Sequence, residues 1–204
     1  MRTVKKSSAS ACAACASVLM MLFGTPVEAG PLAQAAAKAE AMAAAGDTVG
    51  AHNLLRSATS EFSARLPFAI AKAVFVKASP EGYARYDLRE GSSFKPGEKL
   101  ISYIEPIGLS WKPAHTGAKK QSHFSVDMDI LSITGEQLAS QKAIGEYTFA
   151  SLIPNQEIYA TLTTDVSGGA AGDYILRFHF NDLNNGKSTS VDQKFTISGP
   201  AAQP

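Results

Sequence analysis

Between residues 123 and 197 the chain repeatedly alternates bulky apolar and polar residues, and that alternation limits the folds open to it more than any other feature. In HFSVDMDIL (123–131), Phe124, Val126, Met128 and Ile130 share one parity, with Ser125, Asp127 and Asp129 on the other. In DYILRFHF (173–180), Tyr174, Leu176, Phe178 and Phe180 oppose Arg177 and His179, and in SVDQKFTI (190–197) Val191, Gln193, Phe195 and Ile197 repeat the pattern. Successive side chains of an extended strand point to opposite faces, so each stretch predicts a strand with one face toward a core. A register slip of one residue would bury the charges, which fixes the pairing.

The same period predicts strands over 73–79, 82–88, 99–106, 136–143 and 157–166. Turn residues separate them: Lys95-Pro96-Gly97-Glu98, Thr134-Gly135-Glu136, Ile153-Pro154-Asn155 and Asn184-Asn185-Gly186. In the last of these, Asn185 and Gly186 tolerate the positive φ of a tight hairpin. Many short strands with no helices between them predict an antiparallel sandwich or barrel.

Residues 31–66 read differently. Leu32, Ala35, Ala39, Met42 and Ala43 recur at helical spacing behind Pro31, a first-turn residue. Gly46-Asp47 breaks the pattern, Asp47 or Thr48 caps a second helix carrying Ala51, Leu54, Leu55, Ala58 and Phe62, and Pro67 stops it. The expected organisation is a signal peptide over 1–29, a helical hairpin over 30–67, a β-sandwich over 68–199 and a frayed tail over 200–204.

The signal-peptide expectation rests on Arg2, Lys5 and Lys6, a small and apolar run through Phe23, and Val27-Glu28-Ala29 as a small-x-small cleavage signature. Retention of this segment as an N-terminal anchor is the alternative. Both cysteines, Cys12 and Cys15, fall inside it, so the mature chain is expected to have neither thiol nor disulfide, in a periplasmic or secreted setting. Losing residues 1–29 reduces 19 basic and 18 acidic residues to 16 and 17, because Arg2, Lys5, Lys6 and Glu28 go with them. That near-neutral balance argues against a nucleic-acid partner. Beyond the signal peptide no apolar run is long enough to span a membrane.

Two resemblances arise from these residues. Ala43, Gly46-Asp47, Ala51, Leu55 and Ala58 resemble the turn and second helix of a tetratricopeptide repeat, although no second copy follows, and a repeat of this kind needs about three copies to bury a continuous core. Gly172-Asp173-Tyr174, the alternating strand, the Asn-Gly-Lys hairpin and the last strand are similar to the closing hairpin of immunoglobulin-like and fibronectin type III-like domains of bacterial envelope proteins. This resemblance implies an immunoglobulin-like sandwich in which the Tyr174 hydroxyl bonds back to the backbone at a corner. A fold shared by so many functions implies none of them.

Chemical signatures are sparse. The mature chain carries no Cys and no Gly-x-Ser-x-Gly elbow, and His52, His115, His123 and His179 are scattered along it. A triad defined by geometry alone stays open. His115, His123, Asp127 and Asp129 offer metal-type donors without metal-motif spacing, and Asp182 to Gly186 lacks the ligand pattern of a calcium loop. No cofactor is expected. The single tryptophan, Trp111, sits in a Pro/Gly-bearing loop with Lys112, His115 and Lys119, where it either plugs one end of the sandwich or stacks on a ligand. The expected function is that of a non-catalytic envelope protein with a protein partner. The alternative is a module binding glycan or another anionic metabolite through the Trp111 loop.

Overall fold

A computed structural model of the chain describes residues 30–114, 117 and 119–199. The expected signal peptide, His115 and the tail lie outside the described residues. The fold is mainly β, with two helices at its start: α1 (Pro31–Ala44) and α2 (Thr48–Ser63). Pro31 opens α1, whose missing N–H is no loss in a first turn. The chain reverses at Gly46, and the Asp47 carboxylate accepts a hydrogen bond from the Gly50 amide at 2.9 Å, capping α2.

Among the described residues nine strands follow: β1 (Ala69–Phe75), β2 (Ser93–Phe94), β3 (Lys99–Ile107), β4 (Lys112–Pro113), β5 (Lys120–Ser132), β6 (Gln137–Ser151), β7 (Ala160–Asp165), β8 (Gly172–Asp182) and β9 (Ser188–Ile197). One sheet has the order β1-β3-β7, all antiparallel. The other runs β2-β9-β8-β5, with β6 along the far edge of β5 and the short β4 continuing the β8 side. Among the described residues only β2 lies parallel to its neighbour, β9.

The core lies between the two sheets. Leu100 and Ile104 of β3 and Leu162 of β7 meet Phe124 and Val126 of β5, Leu176, Phe178 and Phe180 of β8, and Phe195 of β9. These are the inward residues of the alternation. Gln193 follows the same inward parity and is buried, and its side-chain oxygen has no hydrogen-bond partner among the described residues. One side of the sandwich is closed where β2 pairs with β9. On the other side β6 and β7 each have one edge without a paired strand among the described residues.

Two expectations are corrected. Residues 82–88 form no strand; the segment makes only the isolated bridges Gly82↔Arg85 and Val76↔Leu88, with Ala84 at φ +56°. Tyr83 and Tyr86 are three residues apart, a spacing that suits a turn and not a strand face. Tyr86 packs against Tyr103 on the outer face of β3, ring centres 4.2 Å apart, and Tyr103 stacks in turn on Tyr159. Tyr103 is completely buried there, and that burial raises its phenol well above the usual range. The second correction concerns the β8–β9 turn. It is a longer loop in which the Gly186 amide bonds to the Asp182 carbonyl at 2.8 Å, and of Asn185 and Gly186 only the glycine takes a positive φ, at +74°.

Candidate functional site

The Asn/Asp cluster after β8 does more than turn the chain. Asp182 ends β8 with no exposure to solvent, and its carboxylate accepts hydrogen bonds from the Ser110 amide at 2.7 Å, the Ser110 hydroxyl at 2.8 Å and the Asn184 amide at 2.9 Å. The Asn184 side-chain amide donates to the carbonyls of Ser110 and Gln121, at 3.1 and 3.0 Å. A buried carboxylate is tolerable only with several such donors. Together Asp182 and Asn184 pin the residue before Trp111 to the sandwich, and Asn185 closes the turn by accepting from the Lys187 amide at 2.8 Å.

Trp111 is half-buried. It packs partly against the core and also lines a small chamber of about 60 Å3 between α2, the end of β3 and the β6–β7 loop. Ser60, Ala64 and Pro154 border both this chamber and an outer cleft of about 350 Å3, so the two are contiguous. The outer cleft brings together Asn53, Arg56, Ser57 and Glu61 of α2 with Lys120 at the start of β5. Neither Arg56 nor Lys120 has a carboxylate partner among the described residues.

The cleft exists because the helical pair meets the sandwich at only a few points. The Ser60 hydroxyl donates to the Pro154 carbonyl at 3.4 Å, and the Ser63 hydroxyl donates to the Gln156 side chain. Gly108, at φ +72°, lets the backbone after β3 approach the Pro67 carbonyl; a Cβ there would sit 2.3 Å from that oxygen.

Of the residues singled out by sequence, Trp111 lines the inner chamber, whereas Lys112 on β4 and Lys119 are exposed and line neither chamber. His115 is outside the described residues. Arg56 and Lys120 were missed, since nothing local marks two cations 64 positions apart as neighbours. Tyr174 donates its hydroxyl to the Ala170 carbonyl at 2.9 Å, a local bond back to the backbone at the entry to β8.

A second polar array covers the outer face of the large sheet. His123 pairs with Glu146 at 2.7 Å, Lys142 with Asp127 at 3.1 Å, and Arg177 with Asp192 through two contacts of 2.7 Å. His179 lies between Ser190 and Asp129, with Nδ1 2.8 Å from the Ser190 hydroxyl and Nε2 2.8 Å from the Asp129 carboxylate. This is a serine-histidine-aspartate line, but it lies along an open sheet, and neither chamber of the cleft reaches it. The metal-type donors His123, Asp127 and Asp129 each bond to a different partner, and no group of three or more metal-ligating side chains converges among the described residues.

Comparison with protein-family models and with curated proteins finds no match to this chain. Among the described residues no helix is long and apolar enough to cross a membrane.

Proposed function

We propose that the protein is an exported, non-catalytic interaction module of the bacterial envelope, periplasmic or secreted, that recognises a protein partner by adding a strand to its sandwich. The observation carrying this reading is β6. It is a 15-residue strand paired on one side only among the described residues, and Gln137 to Ala143 are exposed throughout. Leu138 and the nearby Ile133 are about half exposed, at 51% and 53%. An extended edge with apolar side chains is the surface that strand addition uses, and from Gln137 to Ala143 the only charge is Lys142, which is drawn back to Asp127, ahead of a bulge at Ala143.

The immunoglobulin-like reading is supported by the strand order. Three antiparallel strands, β1-β3-β7, face four, β9-β8-β5-β6, with a short parallel strand on β9 and a tyrosine hydroxyl bonded to backbone before β8. The single helical hairpin, resembling one tetratricopeptide unit, serves here as a wall of the cleft and not as a solenoid.

The test is capture from crosslinked envelopes with the wild-type protein beside a Leu138→Lys/Gln141→Lys variant. A protein retained by the wild type and lost with the variant supports strand addition at β6. Retention of nothing above background by the wild type, or equal retention by the variant, overturns it.

A further inference from the structure

We propose that the cleft between α2 and the sandwich binds a small hydroxylated anion of monosaccharide size, its charge held by Arg56 and Lys120. The outer chamber, about 350 Å3, lies in the range of small-ligand sites. The inner chamber at Trp111, about 60 Å3, has room for a few water molecules or one substituent. A ring therefore stays in the outer chamber with one substituent pointing toward Trp111.

Charge selects the ligand class. Arg56 and Lys120 outweigh Glu61 in the outer lining, leaving an excess of one positive charge. Neither cation is neutralised by a carboxylate among the described residues. Among the described residues Arg56 makes only a long contact to the Asn53 side chain, at 3.4 Å, which holds the guanidinium without neutralising it. A guanidinium and an ammonium in one cleft suit a carboxylate or a phosphate ester.

The remaining lining selects hydroxyls. The Ser57 hydroxyl has no hydrogen-bond partner among the described residues, and the Asn53 side-chain nitrogen is likewise uncommitted. Glu61, on the same wall, accepts hydrogen bonds from ligand hydroxyls. An apolar anion would leave these groups desolvated and unpaired, which is costly. The site lies at the Ser151 end of β6, away from the exposed Gln137 to Ala143 stretch, so either proposal can fail without the other.

The experiment is titration of the purified protein with D-glucuronate, glucose 6-phosphate and glucose, followed by Trp111 fluorescence and amide chemical shifts. At least one of the two anions is expected to bind saturably and about tenfold more tightly than glucose, and the stronger of them identifies the anionic group. An Arg56→Gln/Lys120→Gln variant is expected to lose that preference, while Lys112→Gln/Lys119→Gln retains it. Shifts should centre on Asn53, Ser57 and Lys120. Three results each overturn the proposal: neither anion binds at tens of millimolar, both bind no better than glucose, or the Arg56/Lys120 variant binds as the wild type does. Unchanged thermal stability of both variants separates loss of the site from loss of the fold.

Discussion

The sandwich and the helical pair are built on very different amounts of buried apolar surface. Between the sheets, Leu100, Ile104, Phe124, Val126, Leu176, Phe178 and Phe180 have no exposure at all. The two helices together bury only Ala39, Ala51 and Ser60, and leave Val49, Leu55 and Phe62 exposed. Short helices are marginal in water without tertiary packing. The sandwich is therefore the cooperative unit, and the helical pair depends on it through Ser60, Ser63 and the backbone approach at Gly108. A cleft bounded by a strong element on one side and a weak one on the other can be changed from either side with different consequences.

The largest effect should come from the strong side. Phe178→Ala removes a fully buried ring from the centre of β8 and is expected to cost about 4 kcal/mol. Its denaturation midpoint should fall, and amide protection should drop in sheet and helices together. Phe62→Ala, on a ring that is 42% exposed, should change stability by less than about 1 kcal/mol. Similar losses for the two variants would erase the contrast.

Asp182→Ala comes next. It strands the Ser110 and Asn184 amides inside the protein and is expected to cost about 3 kcal/mol. The change should also free the loop, so Trp111 emission should move toward that of a solvent-exposed indole. A destabilised variant with unmoved emission would show that Asp182 supports the sandwich but does not place Trp111.

Which of these features were readable in the sequence follows from distance along the chain. The alternation of Phe124 to Ile130 and Tyr174 to Phe180, and the helical break at Gly46-Asp47, involve neighbours within a few residues, so pattern alone exposes them. The bond from Tyr174 to Ala170 is also local. The hold of Asp182 on Ser110 spans 72 positions, and the line of Asp129, His179 and Ser190 draws on three strands. Register must be known before such groups can be brought together. The segment from Gly82 to Leu88 reads as a strand because Ala84, Tyr86 and Leu88 alternate with Arg85 and Asp87, but the Tyr-x-x-Tyr spacing serves a turn that folds over β3.

The weak side of the comparison is probed by smaller changes. Gly108→Ala forces a Cβ toward the Pro67 carbonyl at a positive φ and should cost about 2 kcal/mol, with the loss of amide protection concentrated in α1 and α2. Asp47→Ala removes the cap of α2 and should cost about 1 kcal/mol, read as increased exchange in the first turn of that helix. Equal protection losses in β8 for either variant would mean that helices and sheets unfold as one unit.

The smallest expected effect lies on the outer face of the large sheet, where three carboxylates are held below their usual range. The Arg177 guanidinium is the main cause at Asp192. At Asp129 hydrogen bonding from Ser140 leads, joined by His179. At Asp127 burial works the other way, but the Ala143 amide, Lys142 and Asn181 outweigh it. A carboxylate whose folded pKa lies below its unfolded value of about 4 stabilises the fold above that value and loses the contribution as pH falls through the folded pKa. Stability should therefore change little on account of these groups between pH 7 and about 5, then decline below about pH 4. Arg177→Gln should flatten the decline by restoring Asp192 toward its ordinary value, at a cost near neutral pH within the usual range of a solvent-accessible pair, up to about 1 kcal/mol. Because the ladder joins β5, β6, β8 and β9 and touches neither helix, the acid-induced loss of protection should begin in those strands. If it begins instead in α1 and α2, the weak attachment of the helical pair, and not the carboxylate ladder, sets the acid limit of the protein.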